Sequence, residues 1–246
     1  MTCSRTQRAL AAALCTLATL AAACARPPRL ARPASEVEAR TLFDALAARE
    51  RVMRELRITM KVRVSGGTAA ALLASPAFMA LGQPGAIRMQ VLSPFGITVL
   101  DLTITGDDYQ LTLPLRGETR KGKIDLGTVA ASGAPVDERM IVALALLFRP
   151  KIDAQACSVE SVSTVVCSIG TGLSATITVD DNLRPKRERY TRADGTVLLS
   201  AEYGEYGEGG SEAMAGHIEI SDLASATALI ARVLCVRTAD SGGKCR

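Results

Sequence analysis

Cysteine is the residue type whose placement in this chain points most directly to chemistry. The chain has 246 residues and seven cysteines, of which Cys157, Cys167, Cys235 and Cys245 lie in its second half. The first two enclose a short polar stretch typical of a turn, and so do the last two. An even number of cysteines in an exported chain indicates disulfides. We expect the pairs Cys157–Cys167 and Cys235–Cys245, and a crossed pairing is the alternative.

Other groups that could do chemistry are sparse. His217 is the only histidine of the sequence, so one chain cannot bind a metal through two histidines, and histidine-based catalysis is not expected. The paired acids Asp107-Asp108 and Asp180-Asp181 are predicted in hairpin turns, where turn propensity explains them. The charged run Lys186-Arg187-Glu188-Arg189 is interpreted as the solvated face of a strand. We therefore expect no metal site, no cofactor and no enzymatic activity.

The composition argues against several classes of protein. Hydrophobic residues make up 48% of the chain, which is enough for a buried core and excludes wholesale disorder. Only 3% of the residues are aromatic and none is tryptophan, so a site that stacks nucleic-acid bases or sugars is not expected. The formal net charge of +4 is modest for this length and gives no reason to expect nucleic acid as a partner.

The first residues have the pattern of a targeting segment. Arg5 and Arg8 precede an uncharged apolar run at 9–23, which is shorter than the about twenty residues needed to span a membrane. Small residues at 21–23 lead into Cys24, and this junction resembles the lipobox of bacterial lipoproteins. The resemblance implies cleavage before Cys24, with covalent diacylglycerol and an N-acyl chain such as palmitate on that residue. The alternative is ordinary secretory cleavage, with Cys24 incidental.

The same resemblance implies where the mature chain lies. In such lipoproteins an Asp after the lipidated cysteine favours retention in the inner membrane, and here that position is Ala25. We therefore expect a lipid anchor in the bacterial outer membrane, on its periplasmic face. Residues 24–34 are rich in Pro and Arg and are predicted to form an extended tether. Residues 35–246 are then expected to form a single domain.

Two helices are predicted in this domain. Ser35 and Glu38 form a capping box, and apolar spacing predicts a helix from about Ser35 to Arg49. Asp137 is predicted as the N-cap of a second helix, in which the stretch Met140–Phe148 carries no charge. Such a helix is either buried or covers an apolar surface.

Most of the remaining chain is predicted to form antiparallel strands. Residues 56–64 alternate apolar with polar or charged side chains, which is a strong strand pattern. Turns rich in Gly, Asp and Asn recur at short intervals, which favours a meander over β-α-β units. Further strands are expected at 68–74, 87–91, 100–104, 109–115, 123–126, 156–159, 164–169, 174–179, 186–192, 197–206, 216–220 and 228–236.

The order of these elements and three short motifs resemble the LolA/LolB-like group of periplasmic lipoprotein carriers and acceptors. The motifs are the strand and Ser-Pro-Phe-Gly turn of Gly85–Gly96, the hairpin turn Gly106–Tyr109, and the later turn Asp194-Gly195. The resemblance covers most of 35–236. It implies a mainly β fold with two or three helices, in which an antiparallel sheet forms an incomplete half-barrel and the helices cover its open side.

The resemblance also implies a function. An apolar cavity between the sheet and the helices would receive a lipid acyl chain or a lipidated client, in lipid or lipoprotein trafficking to the outer membrane. The alternative is a structural or assembly lipoprotein with a closed core that docks a protein partner. The residues predicted to line the cavity lie on the apolar faces of the strands and the second helix: Ile58, Met60, Val62, Met89, Val91, Leu102, Leu111, Leu113, Met140, Leu144 and Leu147.

Overall fold

The chain enters the fold through a capped helix. The structure is a computed structural model that describes residues 32–66, 74–82, 85–124, 136–148, 151–153, 155–169, 172–207, 213–223 and 226–238. Helix α1 spans Glu36–Met53. The predicted capping box is confirmed, because the Ser35 Oγ accepts from the Glu38 amide at 3.4 Å and a Glu38 carboxylate oxygen accepts from the Ser35 amide at 3.0 Å. The helix ends later than Arg49, where the sequence pattern placed its end.

The rest of the described chain forms a sheet of thirteen strands and one further helix. The sheet order is β6-β5-β4-β3-β2-β1-β13-β12-β11-β10-β9-β8-β7, and every neighbouring pair is antiparallel. The sheet does not close on itself, since β6 and β7 are its two edges. The bounds are β1 Leu56–Gly66, β2 Ser75–Gly82, β3 Ala86–Leu92, β4 Thr98–Thr105, β5 Asp108–Leu113, β6 Glu118–Lys123, α2 Val136–Phe148, β7 Cys157–Ser161, β8 Thr164–Ser168, β9 Leu173–Val179, β10 Pro185–Arg192, β11 Val197–Gly204, β12 His217–Asp222 and β13 Thr227–Thr238.

This architecture confirms the predicted fold class, a mainly β open half-barrel with helices. Two meanders, β1–β6 and β7–β13, are joined side by side through the pairing of β1 with β13. That pairing runs from Leu56 opposite Thr238 to Gly66 opposite Thr227, with an irregularity between Thr59 and Met60. The longest ladder of the sheet therefore connects residues from the two ends of the domain.

Several predicted elements differ from the observed ones. A strand was expected at 68–74, but 67–73 lie outside the described residues, and the observed β2 at Ser75–Gly82 was not predicted. Leu115 lies not in a strand but in a short 3-10 helix, Pro114–Arg116, because Pro114 cannot donate to the strand ladder. The strand expected at 123–126 is observed earlier, at Glu118–Lys123.

The observed start of the second helix also differs from the predicted start. Helix α2 is described from Val136, so Asp137 lies inside the helix and the prediction that it is the N-cap is wrong. Residues 139–147 are all buried. This confirms that the nearly uncharged helix is buried, as its composition requires.

The two helices share the inner face of the sheet. Residues of α2 pack with the inward side chains of β1–β5 and β9–β13 in one large cluster. Leu42 and Leu46 of α1 pack in a second cluster with Val165, Ile177 and Val179 of β8 and β9. Strand alternation supplies this inner face, as the burial of every second residue in β9 illustrates.

A disulfide closes the hairpin of β7 and β8. Cys157 and Cys167 lie directly opposite each other, with their Cα atoms 3.9 Å apart, and are bonded as predicted. Cys235 is also disulfide-bonded, and its predicted partner Cys245 lies outside the described residues. The pairing Cys235–Cys245 stays a prediction.

Replacing both Cys157 and Cys167 by Ser is expected to lower the free energy of unfolding by about 2 kcal/mol. The bond closes a loop of 10 residues in sequence separation, and a short loop restricts the unfolded chain less than a long one. Urea unfolding measured by circular dichroism checks this value. Reduction of the wild-type protein should lower the free energy of unfolding more than the double substitution does without reductant, because reduction also breaks the disulfide of Cys235. Equal losses in the two cases would contradict this expectation.

The turn between β9 and β10 contains a carboxylate with a lowered pKa. Asp180 Oδ1 accepts from the amides of Asn182 and Arg184 at 2.9 Å each, and Oδ2 accepts from the Arg184 Nε at 2.9 Å. Burial raises the pKa of Asp180, but the hydrogen bonds from Arg184 and Asn182 outweigh burial and hold the pKa below its ordinary value of 3.8. The charged form therefore stabilises this turn.

Asp180→Asn is expected to lower the free energy of unfolding by about 1 kcal/mol at neutral pH, because the amide cannot supply charge-assisted hydrogen bonds. A carboxyl pKa that is lower in the folded protein stabilises it above the unfolded pKa, and this stabilisation is lost as the pH falls. The difference between wild type and variant should thus shrink below about pH 4. Urea unfolding over a pH series measures it. The exposed neighbour Asp181→Asn is the control, and an equal effect there would refute the assignment.

Candidate functional site

The structure brings the predicted cavity residues together. They come from β1, β3, β4, β5 and α2, and all of them belong to one apolar cluster. All but Leu113, which is partly buried, are at most 9% exposed. The inward strand positions face the underside of α2, so the sequence pattern identified one contiguous surface. Its role in lipid binding stays a prediction.

The cavity that the described residues line at the end of α2 is small. Its volume is about 30 Å³, and it is lined among others by Met53, Leu147 and Ile152. That volume fits about one water molecule, whereas ligand cavities measure about 300–1,000 Å³. An acyl chain therefore fits at this place only if α2 moves away from the sheet.

A larger, open depression lies at one end of β1–β4. Its volume is about 770 Å³, which falls in the range of ligand sites. Leu81, Ile87 and Ile104 contribute apolar side chains, and Arg54 and Arg88 contribute guanidinium groups. Its lining thus offers apolar surface next to charged groups of both signs, because Glu55 also lines it and Arg88 is paired with Asp101 at 3.3 Å.

A buried polar cluster holds the C-terminal end of α2. Lys151 Nζ lies 2.8 Å from a Glu188 carboxylate oxygen, and both side chains are less than a tenth exposed. The same Nζ donates to the Tyr190 hydroxyl at 3.1 Å and to the carbonyls of Leu146 and Leu147 at 3.2 and 3.3 Å. Lys151 therefore supplies the positive charge that the last carbonyls of a helix favour, and it links α2 to β10.

Two further residues complete this cluster. The Tyr190 hydroxyl lies 2.8 Å from the Leu146 carbonyl oxygen and 3.0 Å from a Glu188 carboxylate oxygen, and it can donate its single proton to either acceptor. Glu50 of α1 accepts from the amides of Lys151 and Ile152 at 2.9 and 3.2 Å. Burial raises the pKa of Glu50 against the opposing effect of these amides, and burial next to Glu188 raises the pKa of Tyr190. The donors and acceptors satisfy one another, so the cluster fastens the end of α2 to α1 and β10.

The N-terminal part of α2 is fastened by a second buried ion pair. Arg139 donates to Asp222 through Nε at 2.6 Å and through Nη2 at 2.5 Å, and both side chains are 3% exposed. Asp222 is the last residue of β12. A bidentate pair of this kind is strong and geometrically specific. Helix α2 is thus an apolar cover held to the sheet near both of its ends.

Comparison with known proteins identifies this arrangement at the level of the fold. The structure resembles an outer-membrane lipoprotein-sorting protein domain from Vibrio parahaemolyticus, with a TM-score of 0.53 and 11% identity over 85% of this chain and 95% of that one. It also resembles a LolA superfamily protein from Nitrosomonas europaea, with a TM-score of 0.51 and 12% identity over 82% and 94% of the two chains. The chain has a LolA/LolB-like fold.

A third solved structure has the same architecture. A DUF1329 family protein from Desulfovibrio piger aligns with a TM-score of 0.55 and 10% identity, covering 84% of this chain and 95% of that one. No family model and no curated protein matches the sequence. The LolA/LolB-like fold is therefore visible in the backbone, whereas the sequence identity is too low to carry residue roles from one chain to another.

Within this LolA/LolB-like fold, the sequence interpretation missed the polar cluster. The run Lys186–Arg189 was interpreted as a solvated face, but Glu188 is 3% exposed and this interpretation is wrong for that residue. Glu188 lies opposite Ile177 of β9 and Tyr190 lies opposite Ala175, so strand alternation places both side chains on the inner side of the sheet. Their spacing of two residues in a strand was the available signal, but the partner Lys151 is remote in sequence.

Neither a membrane-spanning helix nor a metal-binding cluster is found among the described residues. No described helix combines the length and the apolar composition needed to cross a bilayer. Among the same residues, no group of three or more histidine, cysteine or acidic side chains is arranged to hold a metal ion. Cys24, the predicted lipidation site, lies outside the described residues.

Proposed function

We propose that this protein is a lipid-anchored envelope lipoprotein that binds a lipid acyl chain, or a lipidated client, between α2 and the inner face of the sheet. The observation that carries the proposal is α2 itself. It is an apolar helix, buried from 139 to 147, laid over the apolar face of an open sheet in a LolA/LolB-like fold. A single helix is a cover that can move without dismantling the strand ladders.

The chemistry of binding would be passive. Burial of each methylene group of an acyl chain contributes about 0.8 kcal/mol, which offsets the cost of separating α2 from the sheet. Met60, Met89 and Met140 lie on the surfaces that would part, and their flexible thioether side chains adapt to ligands of different shape. No catalytic step is assigned to the buried polar groups, and the protein is proposed not to be an enzyme.

The envelope location rests on the sequence of the first residues and on the fold. Diacylglycerol and an N-acyl chain on Cys24 would hold the protein at a membrane without a spanning helix. The Vibrio domain with the same fold is described as a lipoprotein-sorting domain of the outer membrane. This supports trafficking of lipids or lipoproteins in the envelope, with an anchor in the outer membrane on the periplasmic side.

A photoreactive palmitate tests this function. The chain beginning at Ala25 is purified without detergent, its native mass is recorded for co-purified lipid, and a diazirine-bearing palmitate is added and activated. We expect labels on inward residues of α2, β3 and β4, and loss of the labels with excess palmitate. Labels confined to the outer face of the sheet, or no labelling together with a lipid-free native mass, would refute the proposal.

A second candidate function is favoured by the small volume of the cavity at the end of α2. A cavity of about 30 Å³ is also what a closed core would have. In that case the protein is a structural or assembly lipoprotein that docks a protein partner on an outer face or a sheet edge. Both negative outcomes of the palmitate experiment would support this alternative.

A further inference from the structure

The outer face of the two central strands carries a group of basic side chains. β1 and β13 contain five Lys or Arg residues and no Asp or Glu. Lys61 lies directly opposite Arg232, and Arg57 lies directly opposite Arg237, with all four side chains exposed. Like charges placed opposite each other destabilise a sheet. We name the exposed residues Arg57, Lys61, Arg63 and Arg232 the basic band.

Acidic side chains of nearby strands do not pair with the basic band. Asp101 of β4 and Glu202 of β11 form ion pairs with arginines of their neighbouring strands, at 3.3 and 2.6 Å. Glu219 of β12 lies opposite Ile230 rather than opposite a member of the band. Among the described residues, none forms an ion pair with the basic band. The repulsion within the band is therefore not relieved there, and an external anion would relieve it.

Two exposed apolar side chains lie beside this band. Phe78 of β2 lies opposite Thr59 and is 45% exposed. Leu234 lies where the register of β13 shifts against Thr59 and Met60, and it is 37% exposed. Basic residues next to exposed aromatic and aliphatic groups are typical of surfaces that lie on a membrane interface. An acidic peptide would satisfy the charges but not these apolar groups.

We propose that the outer face of β1, β2 and β13 binds the surface of an anionic phospholipid bilayer. The basic band would contact the lipid phosphates, with Phe78 and Leu234 at the level of the headgroups. The outer face of a curved sheet can touch a flat bilayer surface along two adjacent strands, and the basic band lies along two such strands. This surface is opposite to the inner face proposed to bind an acyl chain, so either proposal can hold without the other.

Vesicle sedimentation tests this membrane contact. Residues from Pro33 onward form one compact unit that contains every described helix and strand, so the chain beginning at Pro33 is used, without the arginines of the tether. The vesicles are phosphatidylcholine alone, or phosphatidylcholine with about a third phosphatidylglycerol. We expect binding to the anionic vesicles only, weakening as the salt concentration rises.

A pair of charge-reversal variants localises the contact. Lys61→Glu/Arg232→Glu is expected to lower the partition coefficient at least about 25-fold, because each basic residue near an anionic surface contributes about 5-fold. The reversal keeps a like-charge pair at these positions, so stability should not change, which circular dichroism checks. The control Lys186→Glu/Arg189→Glu changes the same net charge at exposed positions of β10 and should lower binding less than about 3-fold.

Three outcomes would overturn the proposal. Equal losses in the two variants would mean that net charge alone drives the binding. Equal binding to neutral vesicles would remove the role of the basic band. Absence of binding to anionic vesicles would point to an acidic protein as the partner of this face. Palmitate labelling of the inner face is measured on the same variants, and its retention would separate failure of this surface from failure of the acyl-chain site.

Discussion

Arg139→Met is expected to lower the free energy of unfolding by about 3–5 kcal/mol. The substitution removes the guanidinium that contacts both carboxylate oxygens of Asp222, at 2.6 and 2.5 Å. The carboxylate would then be buried without its cation, and that is the costly state of a buried ion pair. Urea unfolding followed by circular dichroism measures the loss. Because α2 would lose its attachment near Val136, we also expect faster labelling by the photoreactive palmitate.

The double variant Arg139→Met/Asp222→Leu is the control for this prediction. It removes both charges and replaces them with apolar side chains, a change that is often neutral for a buried pair. Most of the lost stability should return. A single variant that costs less than about 1 kcal/mol, or a double variant no more stable than the single one, would contradict the assigned role of this pair.

Lys151→Met is expected to have an effect of similar size, about 3–5 kcal/mol. Nζ lies 2.8 Å from Glu188 and also donates to the carbonyls of Leu146 and Leu147. Methionine preserves the apolar stem but leaves a buried carboxylate without its cation and removes the Nζ donor from two helix carbonyls, of which only that of Leu146 keeps the Tyr190 hydroxyl as a donor. The measurement is again the free energy of unfolding in urea.

An exposed lysine of the neighbouring strand provides the matched control. Lys186→Met removes the same charge from the surface of β10, and its effect should stay within about 0.5 kcal/mol. If Lys151→Met had no larger effect than Lys186→Met, the polar cluster would not hold α2 in place. Adding Glu188→Leu to Lys151→Met should recover part of the loss, since the unpaired carboxylate is then gone.

The sequence predicts those features of the fold that depend on near neighbours in the chain. Alternation located nearly all strands, the capping box located the start of α1, and two cysteines opposite each other in one hairpin were paired correctly. Each of these rests on residues within a few positions or one turn of one another, where local geometry decides.

Features that depend on distant contacts could not be predicted in the same way. The burial of Glu188 depends on a cation from another part of the chain, the side chain of Lys151. β2 escaped prediction because Pro76, near its start, is a poor strand residue. The alternation identified the residues beneath α2, but whether they leave a hollow depends on side-chain packing across elements, which no periodicity encodes.

The pairing of β1 with β13 has a consequence for how the chain folds as it is made or translocated. If the chain crosses a membrane from its N-terminus, β1 emerges early. The ladder between β1 and β13, which runs from Leu56 opposite Thr238 to Gly66 opposite Thr227, can form only after β13 has crossed as well. Until then one side of β1 is an open edge that can pair with other chains. A contact of such long range forms slowly. Aggregation is thus most probable in the interval between the arrival of β1 and the arrival of β13. In the same interval a chaperone would have the largest effect on the yield of folded protein.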